Sequence, residues 1–178
     1  TGARLHLCRL SSSKGVALVR AAKAEGLPIT ADVSINSLML SDRDIGYFNS
    51  AFRVTPPLRQ PTDRDALQAG LADRTIDALV SDHMPVTADE KTLPFAEATP
   101  GATGLELLLG LALRWGQDSG LTLAQSLAVV TAAPVRVLGP ALGSLGESAG
   151  RLVAGGVADV CVFDPAAPWP VTPAELKS

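Results

Sequence analysis

Apolar and polar positions alternate between two periods along this chain. Leu5 to Leu10 reads as a short apolar strand, and Ser11, Ser12 and Ser13 then offer N-cap hydroxyls to a helix whose apolar residues Val16, Val19 and Ala22 recur at three-residue steps. Gly26 closes that helix, and Pro28 prevents its resumption. From Ile29 to Ile35 the period drops to two, with Ile29, Ala31, Val33 and Ile35 on one face and Thr30, Asp32 and Ser34 on the other. Asp42 to Phe48 reads as helical, and Thr55-Pro56-Pro57-Leu58-Arg59 as extended, because proline pushes its predecessor out of the helical region. Pro61-Thr62-Asp63 opens a helix over Arg64 to Ala72, and Ile76 to Ser81 forms a third strand with Asp82 and His83 at its C-terminal end. This order predicts a parallel sheet with right-handed crossovers, with Leu5, Leu7, Val33, Leu79 and Val80 buried in the strands.

The stretch from Pro85 to Gly101 is polar and proline-punctuated, which suits a long functional loop. Two amphipathic helices follow, one over Thr103 to Trp115 and one over Thr122 to Leu138, the second interrupted or ended early by Pro134. Beyond Gly139 the texture turns glycine-rich and β-like. Arg151 to Val153, a turn at Gly155-Gly156, and Ala158 to Phe163 predict a hairpin outside the α/β unit.

Composition narrows the function classes. Of the 178 residues 47% are hydrophobic and only 4% aromatic, which supports a real core of strands between helices and argues against a base-stacking RNA binder or an aromatic carbohydrate cleft. A net charge of -3, with scattered lysines and arginines, disfavours a nucleic-acid or anionic-membrane surface, so a small molecule or a protein is the expected partner. Cys8 and Cys161 lie far apart without metal-type spacing, and a reducing cytoplasm is the expectation. The longest strongly apolar stretch, Thr103 to Leu113, is too short to span a bilayer, and the N-terminus lacks a signal pattern.

Candidate chemistry is sparse. His6 and Cys8, two apart on a strand, share a face, and inside a parallel barrel that face would be the lumen, where a neutral imidazole can ligate metal. The competing reading is a hydrogen-bonded histidine beside an inert thiol. Asp82 sits where α/β folds place catalytic groups, with a turn cap as the alternative, while His83 reads as a loop hydrogen-bonding group. Ser81-Asp82-His83 is no catalytic triad, since neighbours on a strand face opposite ways and no nucleophile elbow is present. Phosphate-binding glycine motifs are absent. Thr30, Asp32 and Ser34 are placed to line a polar cavity, with solvent or buried water against that face as the alternative.

Several segments taken in order resemble the C-terminal half of a dihydroorotase of the amidohydrolase superfamily. They are Leu5-His6-Leu7 before the serines, Arg20 to Pro28, Pro56-Pro57-Leu58-Arg59, Ile76 to His83, Glu90-Lys91 with Pro94-Phe95, Pro100-Gly101 with Gly104-Leu105-Glu106, and a tail from Gly150-Arg151-Leu152 to Phe163-Asp164-Pro165. The resemblance implies the C-terminal part of a (β/α)8 metal-dependent barrel over residues 1–138 and part of a small flanking β domain over 139–178. A complete barrel takes about 250 residues, so only a portion is expected here. It further implies zinc, with His6 matching a histidine ligand and Asp82 matching the aspartate that holds metal and serves as base, in the interconversion of dihydroorotate and carbamoyl aspartate in pyrimidine biosynthesis.

The departures point the other way. Asn36 stands where the family carries a histidine ligand, and at the substrate positions Thr55 replaces an asparagine and Val86 a histidine. Such erosion resembles the noncatalytic dihydroorotase-like subunits that accompany some aspartate carbamoyltransferases. The chain is therefore expected to be an inactive dihydroorotase relative, with zinc absent or weakly bound, and to self-associate through exposed sheet edges. A noncatalytic structural subunit supporting an aspartate carbamoyltransferase, retained dihydroorotase activity, and hydrolysis of another cyclic amide are the alternatives.

Overall fold

A computed structural model describes residues 2–172 and 175–177. Three parallel strands form one sheet in the order β1 (Leu5–Leu7), β2 (Ile29–Ser34), β3 (Ala78–Val80). The register sets His6 beside Thr30 and Asp32 beside Ala78. Between the strands run α1 (Ser13–Ala24), α2 (Ile35–Met39) and α3 (Pro61–Ala72), and after β3 come α4 (Leu108–Asp118), α5 (Leu123–Ala128) and α6 (Ala132–Leu138). The predicted parallel α/β architecture is present.

Local chemistry explains these boundaries. Ser12 caps α1 by accepting from the Gly15 main-chain N–H at 3.2 Å, and Gly26 takes the left-handed conformation that ends it. Pro61 begins α3, where its missing N–H costs nothing. Asp63 of α3 reaches across to α1 and accepts from the Ser13 N–H at 2.8 Å and the Ser13 hydroxyl at 2.9 Å. Between the helices and one sheet face lies the core, built from Val16, Val33, Leu38, Leu67, Leu71, Ile76, Leu79 and Trp115 among others. Because Val33 faces this core, alternation turns Thr30, Asp32 and Ser34 to the opposite face of the sheet.

Several expectations are corrected. The outer strands are shorter than their apolar runs, because Arg9 (φ 57°) and Asp82 (φ 48°) adopt left-handed backbone just beyond them. Leu5 is exposed and Leu7 and Val80 only half-buried, since β1 pairs on one side alone and the sheet face bearing Val80 lies away from the helices; Val33 and Leu79 are buried as expected. Ile35 opens α2 rather than ending β2, because the Ser34 hydroxyl caps it. The Asp42 to Phe48 helix shrinks to a 3-10 turn, Asp42–Ile45.

The helix expected from Thr103 begins only at Leu108. The Thr122 to Leu138 helix is divided at Val129–Thr131, where the Val129 carbonyl accepts from the Leu79 N–H at 3.0 Å, and Pro134 sits harmlessly in the first turn of α6. On composition Leu123–Glu147, not Thr103 to Leu113, is the stretch long and apolar enough to cross a membrane. That break and the left-handed Gly139 divide it into separate short helices. The hairpin expected over Arg151 to Phe163 is not formed. Val160 and Val162 are exposed there, and two strands without a third or a packed face are marginal in water.

Candidate functional site

The polar face of the sheet and the loops beyond its C-terminal edge gather the polar groups. On β1, His6 places Nδ1 2.7 Å from the Thr30 hydroxyl and Nε2 2.9 Å from Asp32 Oδ2. A carboxylate only accepts, so Nε2 is the donor to Asp32, while the Thr30 hydroxyl can serve Nδ1 as donor or acceptor. Asp32 is buried, and its other oxygen accepts the Arg9 main-chain N–H at 2.7 Å. The left-handed turn at Arg9 thus delivers a backbone donor to β2, leaving the side chain to reach elsewhere.

That side chain crosses to the end of β3. Arg9 Nη1 donates to Asp82 Oδ1 at 3.1 Å and to the Thr55 carbonyl at 3.2 Å. Asp82 is nearly buried, its side chain 12% exposed against 39% for Arg9. Asp82, Asn36 and Thr55 line one small pocket with Val54, Met84, Gly101 and Ala102; its volume of about 10 Å³ gives room for little more than a water. Val86 lies outside this lining. It is half-buried against Gly101, where any added Cβ would meet its Cγ2 at 2.6 Å.

His83 anchors the following loop as its sequence position suggested, Nδ1 accepting from the Gly104 and Leu105 N–H groups at 3.2 Å each. Farther along the rim, Lys91 Nζ donates to the carbonyls of Ser50 and Arg53 at 3.2 and 3.1 Å. Burial first, then the nearby Arg53 charge, hold this ammonium below the usual lysine range.

The ligand atoms of His6, Cys8 and Asp32 lie within 4.8 Å of one another, and imidazole, thiolate and carboxylate are all donors that zinc accepts. His6 and Asp32 already satisfy each other, and both Asp32 oxygens are engaged. Asp82 is not part of that group. Its carboxylate faces a guanidinium, a poor setting for a divalent cation, so the residues gathered at Asp82 do not fit a metal held there.

Asp32 and Arg9 are the members of this polar network that sequence reasoning undervalued. The alternation of β2 exposed Asp32 as a polar-face residue without revealing its partners. Arg9 gave no signal, since a single arginine after an apolar run is ordinary.

Comparison with known proteins defines the class. The fold matches L-hydantoinase (dihydropyrimidinase) from Arthrobacter aurescens with a TM-score of 0.77 and 27% identity, covering 88% of this chain and 35% of that one. The fold is therefore that of a portion of the (β/α)8-type barrel found in amidohydrolases such as this hydantoinase. By sequence the chain is a relative of the dihydroorotases and dihydroorotase-like proteins. It is 39% identical over 180 residues to a dihydroorotase of Anaeromyxobacter sp. (strain K), across all of this chain and 40% of that protein. It is 41% identical over 165 residues to a dihydroorotase-like protein of Pseudomonas aeruginosa, across 93% of this chain and 37% of that protein. It spans about two-fifths of the length of these curated relatives. No protein-family model matches the chain.

Proposed function

We propose that this chain is part of a dihydroorotase-like protein that keeps the barrel scaffold and has lost metal-dependent opening of a cyclic amide, its role being structural, beside aspartate carbamoyltransferase in the cytoplasm. Opening a cyclic amide at neutral pH calls for a strongly activated water, and a metal supplies this by lowering the water's pKa toward 7. The observation that carries the proposal is that the donors which do gather, His6, Cys8 and Asp32, gather without Asp82. Asn36 in the adjoining pocket offers an amide where the family resemblance calls for imidazole.

The competing reading is hydrolysis of dihydroorotate or another cyclic amide. The names of the relatives and the hydantoinase-like fold favour it.

The test is to purify the intact protein that contains this chain, supply zinc, and assay ring opening of dihydroorotate and of a hydantoin. No turnover, with co-elution of aspartate carbamoyltransferase at a fixed ratio, is expected. Turnover abolished by Asp82→Asn would establish the competing reading instead.

A further inference from the structure

We propose that Arg9 is the resident cation of this site: its guanidinium balances Asp82 where a metal otherwise would, and so keeps divalent cations off that carboxylate. The proposal rests on the reading that metal-dependent hydrolysis is lost, and it says what has taken the metal's place.

Four observations carry it. Arg9 links the ends of all three strands: it follows β1, gives its main-chain N–H to Asp32 of β2, and gives Nη1 to Asp82 beyond β3. The same Nη1 donates to the Thr55 carbonyl, so the proline-rich segment is tied in as well. Both Arg9 and Asp82 hold left-handed backbone, a conformation that a residue with a Cβ seldom adopts and that persists where the surroundings enforce it. Finally, Asp82 is largely withdrawn from water, so it needs a counter-charge, and among the described residues Arg9 is the only cation paired with it.

A guanidinium suits this task. It stays protonated over the whole physiological range, unlike lysine or histidine in a protein interior, and its planar donors lock to a carboxylate and a carbonyl together. A divalent ion approaching Asp82 would meet that fixed positive charge within a few ångströms, in surroundings that screen it less than bulk water does. An arginine serving only as packing would leave the carboxylate open to cations.

The experiment uses the intact protein in a Cys8→Ser background, which removes the thiol from the neighbouring donor group. Bound manganese(II) is measured by electron paramagnetic resonance for this parent and for Arg9→Gln, Arg9→Lys, Asp82→Asn and Arg9→Gln/Asp82→Asn. The parent and Arg9→Lys are expected to take up no manganese that depends on Asp82. Arg9→Gln should gain Asp82-dependent manganese binding that the parent lacks, and adding Asp82→Asn should abolish that gain.

Uptake by the parent that disappears in Asp82→Asn would overturn the proposal, and that comparison stands even if Arg9→Gln fails to fold. A folded Arg9→Gln protein that gains no manganese would overturn it equally. Ring-opening activity plays no part in these readings, so failure of the functional proposal is scored separately, by turnover.

Discussion

Arg9 Nη1 lies 3.1 Å from Asp82 Oδ1, joining two residues 73 positions apart at the ends of the two outer strands of the sheet. Asp82 is nearly buried and Arg9 partly exposed, so this pair falls between a screened surface bridge and a buried one. A double-mutant cycle with Arg9→Met and Asp82→Asn should give a coupling of about 1–2 kcal/mol in urea unfolding, decreasing only modestly with added salt. A coupling near zero would mean the contact contributes nothing to the fold.

Asp32 holds the neighbouring network together. Its two oxygens accept from His6 Nε2 and from the Arg9 main chain, so Asp32→Ala leaves two donors without partners beside a cavity. The expected cost is about 2–4 kcal/mol of stability, with Asp32→Asn milder because an amide keeps one acceptor. Chemical denaturation of both variants decides this.

Gly104 lies against the end of β3. A Cβ there would stand 2.2 Å from the Ser81 carbonyl oxygen, which is main chain and cannot swing aside, and 3.1 Å from Ile35 Cδ1. Gly104→Ala is therefore expected to cost about 2–3 kcal/mol and to loosen the His83 contacts to the Gly104 and Leu105 N–H groups. Faster amide exchange at residues 101–107 is the accompanying signature. Unchanged exchange and stability would show that the loop yields freely.

Asp63 predicts a pH dependence. The Ser13 main-chain N–H first of all, then the Ser13 hydroxyl and the Arg59 charge, hold its carboxyl below the usual aspartate range against partial desolvation. A depressed folded value means that the ionised form is the stabilising one. This contribution is complete well above pH 3.8 and is lost as the pH falls through the lower, folded value. Asp63→Ala should cost about 1 kcal/mol at pH 7 and progressively less in acid. A constant difference between wild type and variant from pH 7 to strong acid would contradict this assignment.

Local pattern carried much of the architecture. Strict alternation at Ile29 to Ser34 specified β2 and its polar face, the serine cap and Gly26 bounded α1, and the order of strands and helices implied parallel pairing, because these signals depend on residues close in sequence. The loop role of His83 was legible for the same reason, from its place just past a strand. Tertiary structure alone decided which polar groups meet. His6, which the family resemblance matched to a ligand position, pairs with Asp32, whereas Asp82 pairs with Arg9, a choice made by strand register and by two left-handed turns that no periodicity announces. Burial at the sheet edge and the fate of the tail were hidden likewise, because an apolar run forms a strand only where a partner strand and a packed face await it, and that depends on residues distant in sequence.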